Sequence, residues 1–167
     1  NINMSEVSSS SELLFLASQT MYYLDDLDQS NKFIIDAISK DNSNKEYRAY
    51  KDRLDNLKKS IKNARKTFDS GSAELAVEEF EKICLNHPNS GLIFYELGYV
   101  YKNLYDFKNA YKNYSVAQSN NPNNEKYTKA ILNLSQILTM DGDKLYRVKE
   151  YEAALEKYLE AVEYSPD

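Results

Sequence analysis

The chain has 167 residues, of which 42% are hydrophobic and 28% charged, so its composition is that of a folded protein rather than a disordered one. Its net charge of −5 argues against general nucleic-acid binding, its single cysteine excludes an internal disulfide framework, and no apolar run approaches the roughly 20 residues of a membrane span. The first residues lack a basic segment followed by an apolar one, so no signal peptide is predicted and the compartment stays open.

The sequence predicts a polar, serine-rich lead-in over residues 1–10 and, after it, a helical hairpin. Ser10 or Ser11 is expected to cap the first helix, and Asp28 the second, which runs from about residue 29 to 40. The apolar side of each helix follows from its periodicity. These sides are Leu13, Leu14, Leu16, Ala17, Met21 and Leu24 in the first helix, and Phe33, Ile34, Ala37 and Ile38 in the second.

Residues 44–69 predict one long helix, because apolar side chains recur in steps of three and four. About 25 residues at 1.5 Å each make a rod of roughly 37 Å. A coiled coil and packing against neighbouring helices both require such a stripe, and the second interpretation is favoured here. Gly71 is expected to end the helix in a left-handed turn. The stripe consists of Tyr47, Tyr50, Leu54, Leu57, Ile61, Ala64 and Phe68.

The same helix carries an excess of positive charge. Between Lys45 and Lys66 there are nine lysines and arginines against Glu46, Asp52 and Asp55, a local balance of +6, so the rest of the chain carries −11. Most charge runs are solvated faces, and a basic binding surface is the alternative.

The stretch 91–124 has the most specific pattern in the chain. Its first helix shows a stripe of apolar and small residues, and Asp106 is expected to cap its second helix after a short break. Pro122 closes the unit, because proline cannot continue a helix. The stripe positions are Phe94, Leu97, Gly98 and Tyr101 in the first helix, and Ala110, Tyr114 and Ala117 in the second.

This order of residues resembles the tetratricopeptide repeat, with Phe94 in place of the family's tryptophan. The same spacing gives a repeat at 57–90, whose second helix fits the family. In its first helix, Ser60 and Asn63 stand where the family has large apolar residues, which leaves that frame open. Residues 11–44 fit only as a degenerate repeat, and an ordinary helical hairpin is the equal alternative.

A second long helix is predicted over residues 125–149, with Asn123 or Asn124 as its cap and a break at Asp141-Gly142 as the competing interpretation. Its apolar side is Tyr127, Ala130, Ile131, Leu134, Ile137, Leu138, Leu145 and Val148. The last stretch resembles the second half of a repeat, which gives a frame of 135–167 and leaves residues 125–134 as an extra segment. The marker positions of that frame are Gly142, Ala154, Tyr158, Ala161 and Pro166.

The resemblance implies an all-α fold, an α-solenoid-like array of antiparallel helix pairs in one domain over residues 11–167, with extended helices near 45–69 and 125–149. It also implies recognition of another protein or peptide, without catalysis, in a concave groove lined by first helices. The groove-facing positions are Lys58, Lys62, Arg65, Tyr95, Tyr99, Lys102 and Tyr146. The cationic members favour acidic groups on the partner.

Three other functions stay open. A small secretion-type chaperone can be a repeat domain of similar length, and a self-assembling structural protein would associate through its C-terminal repeat face. A regulatory domain of an enzyme is the third. Binding of chaperone tails is not indicated, because Glu96 stands where the carboxylate-clamp pattern requires asparagine.

No catalytic, metal or cofactor site is predicted. His87, beside Pro88, is interpreted as a solvated loop residue, and Cys84 as a small buried hydrophobe. The segment Asp141-Gly142-Asp143 lacks the remaining ligands of a calcium loop, and neither a zinc spacing nor a glycine-rich phosphate loop occurs. We therefore expect no cofactor, no nucleic-acid partner and no membrane span.

Overall fold

The computed structural model describes residues 10–165 of the chain, and the regular secondary structure within that range is entirely α-helical. The predicted lead-in, apart from Ser10, and the repeat-end residue Pro166 lie outside the described residues. Eight helices occur between residues 10 and 165. They are α1 (Ser11–Tyr23), α2 (Leu27–Lys40), α3 (Lys45–Asp69), α4 (Ala73–Asn86), α5 (Gly91–Asn103), α6 (Phe107–Asn120), α7 (Glu125–Arg147) and α8 (Tyr151–Glu163).

The helices pack in adjacent pairs, which confirms the predicted fold class. The chain divides into two compact units, unit 1 over Asn1–Ile93 and unit 2 over Phe94–Asp167. In unit 1, α1 packs on α2, α2 on α3, and α3 on α4; in unit 2, α6 packs on α7 and α7 on α8. The apolar stripe of α3 is thus covered by helices of the same chain, as the helix-array interpretation requires. The repeat boundaries stay a prediction.

Side-chain caps fix most helix starts where the sequence predicts them. Ser10 accepts a hydrogen bond from the Leu13 amide at 3.4 Å, Asp106 from Asn109 at 3.1 Å and Asn124 from Lys126 at 3.2 Å. The prediction for α2 is wrong: the helix begins at Leu27, and Asp26 rather than Asp28 accepts from the Gln29 amide, at 2.9 Å. Asp25, the residue before this cap, has a left-handed backbone conformation. The helix therefore begins immediately after the turn, with Asp26 as its cap.

The same turn connects the two helices of every pair in the described chain. One residue lies in the left-handed region, and the next amide donates to the carbonyl five residues earlier, at 2.9–3.2 Å, which is the Schellman arrangement. Only Gly71 could be predicted, because the other three left-handed residues are not glycine. The turn residues are Asp25 (φ 64°), Gly71 (φ 89°), Tyr105 (φ 60°) and Lys149 (φ 66°).

Each pair also has a small buried residue on both helices, at equivalent distances from the turn. Small side chains here allow the two helix backbones to approach closely. In the first pair the Ser18 hydroxyl donates to the Ser30 carbonyl at 2.6 Å; in the third, an added Cβ at Gly98 would lie 3.1 Å from the Ala110 carbonyl oxygen. The four sets are Ser18 with Ser30, Ala64 with Ala76, Gly98 with Ala110, and Gly142 with Ala154.

The remaining described marker positions, apart from Pro122 in a connection, lie on the packed sides of their helices. Of the residues in the 91–124 pattern, Leu97, Tyr114 and Ala117 are buried, Phe94 and Tyr101 are half-buried, and Pro122 is exposed. In the last pair Ala161 is buried and Tyr158 half-buried. The core of unit 2 is built from Ala110, Tyr114, Ile131, Leu134, Leu138, Ala161 and Tyr164.

Two predicted helix faces are wrong. Leu13 and Leu16 of α1 are exposed, and so is Leu24, which follows the helix. Phe15 is buried instead, with its ring 4.8 Å from that of Tyr47. Because α1 itself carries apolar residues on nearly every side, the periodicity of its sequence does not identify the buried face.

The second correction concerns the end of α7. Val148 lies beyond the helix and is exposed, so it does not belong to the apolar side. The helix runs through Gly142 without the break that the competing interpretation places there.

Candidate protein-interaction surfaces

The first candidate surface, here called the tyrosine–lysine pocket, lies in unit 2 and has a volume of about 400 Å³. Tyr95, Tyr99 and Lys102 recur along one side of α5, so the helix presents all three to the same pocket. Residues of α6 and α7 complete the lining: Tyr114, Lys126, Lys129, Ala130 and Asn133. The structure therefore brings together three of the seven predicted groove residues.

Lysine ammonium groups lie over the tyrosine rings of this pocket. The Lys126 Nζ is 3.9 Å from the centroid of Tyr95, and the Lys102 Nζ is 5.2 Å from that of Tyr99. The Tyr95 ring also packs against Tyr114, with centroids 5.4 Å apart. Such cation–π contacts hold the ammonium groups in place while leaving them in contact with solvent.

The hydroxyl groups of Tyr95 and Tyr114 in this pocket are protonated at neutral pH. Burial raises the pKa of both Tyr95 and Tyr114 above the ordinary value for tyrosine. A protonated hydroxyl can donate a hydrogen bond to an anion, as an ammonium group can. The pocket thus offers donors and positive charge. Lys129 is already paired, since its Nζ lies 2.7 Å from the Glu125 carboxylate.

The second candidate surface, here called the basic groove, lies in unit 1 and encloses about 1060 Å³. Lys58, Lys62 and Arg65 of α3 line it, together with the acidic connection between α1 and α2. Lys58 pairs with Asp28 at 2.6 Å, and this hydrogen bond lowers the pKa of the Asp28 carboxyl group. Lys62 is exposed and has no ion-pair partner among residues 10–165, so its charge is the more available of the two lysines.

Tyr146 lies apart from the other predicted groove residues of unit 2. It is exposed near the end of α7, and its ring contacts Tyr151 at a centroid distance of 5.3 Å. Tyr151 begins a row of large apolar residues along α8, each 50–72% exposed, which we call the α8 stripe. The stripe consists of Tyr151, Leu155, Leu159 and Val162.

His87 and Cys84 are the two residues with the greatest potential for chemistry, and both are held in the structure of unit 1. The prediction of a solvated His87 is wrong: the ring is half-buried, its Nδ1 lies 3.0 Å from the Tyr22 hydroxyl, and burial lowers its pKa. The Cys84 thiol is buried, which raises its pKa to about 12.

Lys126, Lys129 and Asn133 were missed by the sequence reasoning. They belong to the segment 125–134, which the repeat frame treats as extra, so no groove position was assigned to it. The available signal was their recurrence at helical spacing on a helix that follows the clear repeat. In the structure this segment packs Tyr127 against Tyr95, with ring centroids 5.5 Å apart, and so places the lysines at the pocket.

The described residues contain no cluster of three or more histidine, cysteine, aspartate or glutamate side chains that could hold a metal ion. Within the same range, every helix is too short or too polar to cross a bilayer.

No family model matches the chain, and no curated protein does. Solved structures do match it. The likeness is to MamA. MamA AMB-1 is 16% identical with a TM-score of 0.43, over 92% of this chain and 72% of that one. MamA from Desulfovibrio magneticus RS-1, residue 41 to its end, is 14% identical with a TM-score of 0.35, over 93% of this chain and 75% of that one. Identities and TM-scores this low carry no information about what the present chain binds.

Proposed function

We propose that the chain is a non-catalytic interaction module of the tetratricopeptide type that binds an acidic segment of another protein at the tyrosine–lysine pocket. The observation that carries this proposal is the lining of the pocket, in which the ammonium groups of Lys102 and Lys126 lie over tyrosine rings. The repeated turn and the small buried residues of all four helix pairs support the family assignment.

Electrostatics and contact area both favour an acidic ligand. Two ammonium groups, those of Lys102 and Lys126, are held over aromatic rings rather than by carboxylates. Tyrosine adds a large contact area and a hydroxyl donor at low entropic cost, because its side chain has few rotatable bonds. A carboxylate that enters the pocket would meet both kinds of donor, and apolar neighbours in the ligand would pack on the rings.

The predicted groove residues outside the tyrosine–lysine pocket have other roles in this proposal. In unit 1, Lys62 provides a second positive charge for an acidic partner at the basic groove, and Lys58 contributes less because it already pairs with Asp28. Tyr146 of α7 adjoins the α8 stripe through its contact with Tyr151 and would take part in any contact made there.

A direct test uses a fluorescein-labelled peptide of alternating glutamate and leucine, with its lysine–leucine counterpart as the negative probe. Anisotropy titrations should show saturable binding of the acidic peptide only. Tyr99→Ala and the double variant Lys102→Ala/Lys126→Ala should each weaken binding by roughly two- to tenfold, because an exposed cation–π or ionic contact contributes on the order of 1 kcal/mol. Only the lysine variant should flatten the dependence on salt concentration.

The matched control is Lys144→Ala, which removes an exposed lysine elsewhere on α7. It should bind like the parent protein, and all variants should retain the parent's thermal unfolding because the changed side chains lie at the surface. Equal affinity of the parent and both pocket variants for the acidic peptide would show that the pocket is not the site.

Self-association is a second candidate function, and the α8 stripe favours it. Contiguous large apolar side chains that are exposed on a protein surface mark interaction sites. The α8 stripe exposes four large apolar side chains. A second copy of the chain would remove this surface from water.

Sedimentation velocity at increasing concentration tests this candidate. The parent protein should gain mass with concentration, whereas Leu155→Glu/Leu159→Glu should stay monomeric, because two charges cannot be buried in an apolar contact without a large desolvation cost. Leu85→Glu, at an exposed leucine of α4, is the matched control and should behave like the parent. A parent protein that remains monomeric throughout rules this candidate out.

A further inference from the structure

The α8 stripe lies at positions that a following helix pair covers elsewhere in unit 2. Counted from the left-handed turn residue of each pair, its four members are equivalent to Phe107, Tyr111, Ser115 and Gln118 of α6, all of which are half-buried. The Tyr111 ring stacks on that of Tyr164, at the end of α8, with centroids 4.3 Å apart. Gln118 donates from Nε2 to the Thr128 hydroxyl of α7 at 2.8 Å. No helix among residues 10–165 covers α8 in this way, so its stripe lies where this fold packs another pair.

The outer side of α1 carries a second row of exposed side chains, which we call the α1 stripe. It consists of Leu13, Leu16, Thr20 and Tyr23, and the three large members are 41–54% exposed. Steps of three and four residues place all four on one side of the helix. These leucines and this tyrosine form a contiguous exposed apolar row, which is the composition of a contact surface rather than of a solvated one.

Other first helices support this interpretation of the α1 stripe. At the equivalent distances before the turn, α3 exposes only charged residues, and α7 ends the row with two cations. In α5 the first three of these positions are buried, and two of them are apolar. The residues are Lys59, Lys62, Lys66 and Asp69 in α3, Lys144 and Arg147 in α7, and Ile93, Glu96 and Val100 in α5. Apolar side chains at these positions thus accompany burial in α5, whereas α1 leaves them exposed.

The charges beside the two stripes disfavour the pairing of α8 with a second α8. The helix has four glutamates against Lys157, a balance of −3, and Glu152, Glu156 and Glu163 are exposed. Two α8 stripes packed together would bring these like charges close, which opposes association. The only charged residue of α1 is Glu12, and α3, which α1 contacts through Phe15, has an excess of positive charge. Electrostatics therefore favour α1 over a second α8 as the partner of the stripe.

We infer that the α8 stripe of one copy packs on the α1 stripe of the next, so that copies of the chain join head to tail. This inference rests on the self-association candidate and names the surface that the second copy contributes. The contact repeats an order found within each unit, where the second helix of a pair packs on the first helix of the next: α2 on α3, and α6 on α7. Because the two surfaces differ, every dimer keeps one free stripe of each kind, and association continues beyond the dimer.

Two complementary variants test the inference by sedimentation velocity. Leu13→Glu/Leu16→Glu changes only the α1 stripe, and Leu155→Glu/Leu159→Glu changes only the α8 stripe. The parent protein should grow past the dimer as its concentration rises. Each variant alone should associate at least about tenfold more weakly, because burial of unpaired charges is costly. An equimolar mixture of the two should form a one-to-one dimer and nothing larger, since it retains one unchanged stripe of each kind.

The matched control is Leu75→Glu/Leu85→Glu, which adds the same two charges at exposed leucines of α4 and should associate like the parent. Thermal unfolding of every variant should match that of the parent, because all the changed side chains are exposed.

The possible outcomes separate this inference from the self-association candidate. If the α1 variant still forms dimers while the α8 variant is monomeric, α8 stripes pair with each other, which overturns the inference and keeps the candidate. A mixture that stays monomeric while the parent associates also overturns the inference alone. A monomeric parent overturns both and leaves a different protein as the occupant of the stripes. None of these results bears on the tyrosine–lysine pocket, which the peptide titrations test.

Discussion

Replacing Gly98 by leucine is expected to lower the melting temperature by roughly 3–10 °C. A Cβ atom at this position would lie 2.7 Å from Cδ1 and 2.8 Å from Cε1 of Tyr114, and 3.1 Å from the Ala110 carbonyl oxygen. Tyr114 is only 1% exposed, so its ring has no room to move away. Overpacking of this kind costs about 1–3 kcal/mol or more, and each kcal/mol is about 2–4 °C for a chain of this size. Thermal unfolding followed by circular dichroism measures the shift.

The alanine variants of two glycines provide the matched comparison. At Gly142 a Cβ atom would also be close to a ring, 2.6 Å from Cε1 of Tyr158. Tyr158, however, is half-buried and its hydroxyl donates to the exposed Asp143, so this ring can turn outward. Both alanine substitutions gain up to about 1 kcal/mol of helix propensity. Because only the Tyr158 ring can move away, Gly98→Ala should destabilise the protein more than Gly142→Ala. A Gly98→Leu protein that melts with the parent would mean that the two helices do not approach here.

Phe80→Ala is expected to have the largest effect in unit 1. The side chain is 1% exposed on α4, and truncation of a buried phenylalanine costs about 3–5 kcal/mol through lost apolar burial and the cavity that remains. The midpoint of urea unfolding should fall accordingly.

On the same helix, Leu85 is 83% exposed, so Leu85→Ala should change the free energy of unfolding by no more than about 0.5 kcal/mol. If the two alanine variants unfold at the same urea concentration, the assignment of the buried face of α4 is wrong.

Local patterns predicted most helices because their boundaries depend on neighbouring residues. The caps at Asp106 and Asn124 and the left-handed Gly71 each have a short-range physical cause that a sequence displays directly. Where several aspartates compete, as before α2, the cap depends on which residue takes the left-handed conformation. That choice is made by the tertiary turn, so Asp26 could not be distinguished from Asp28 in advance.

The candidate surfaces were predicted less completely than the helices. Tyr95, Tyr99 and Lys102 share one face of one helix, and periodicity alone places them together. Lys126 reaches the same pocket from α7, and no local pattern specifies which helices become neighbours. The ion pair of Lys58 with Asp28 joins two different helices and was likewise invisible in the sequence.

The spacing of the four left-handed turn residues shows where the longer helix pairs hold their additional residues. Asp25, Gly71, Tyr105 and Lys149 are separated by 46, 34 and 44 residues, and the two longer intervals contain the 25-residue α3 and the 23-residue α7. The additional residues therefore lie in rigid rods rather than in connections. A longer loop would raise the entropy lost on closure, whereas a longer helix adds surface at a fixed spacing without making the chain between pairs more flexible. The longer helices therefore offer a partner more surface to contact, while every turn keeps the same geometry.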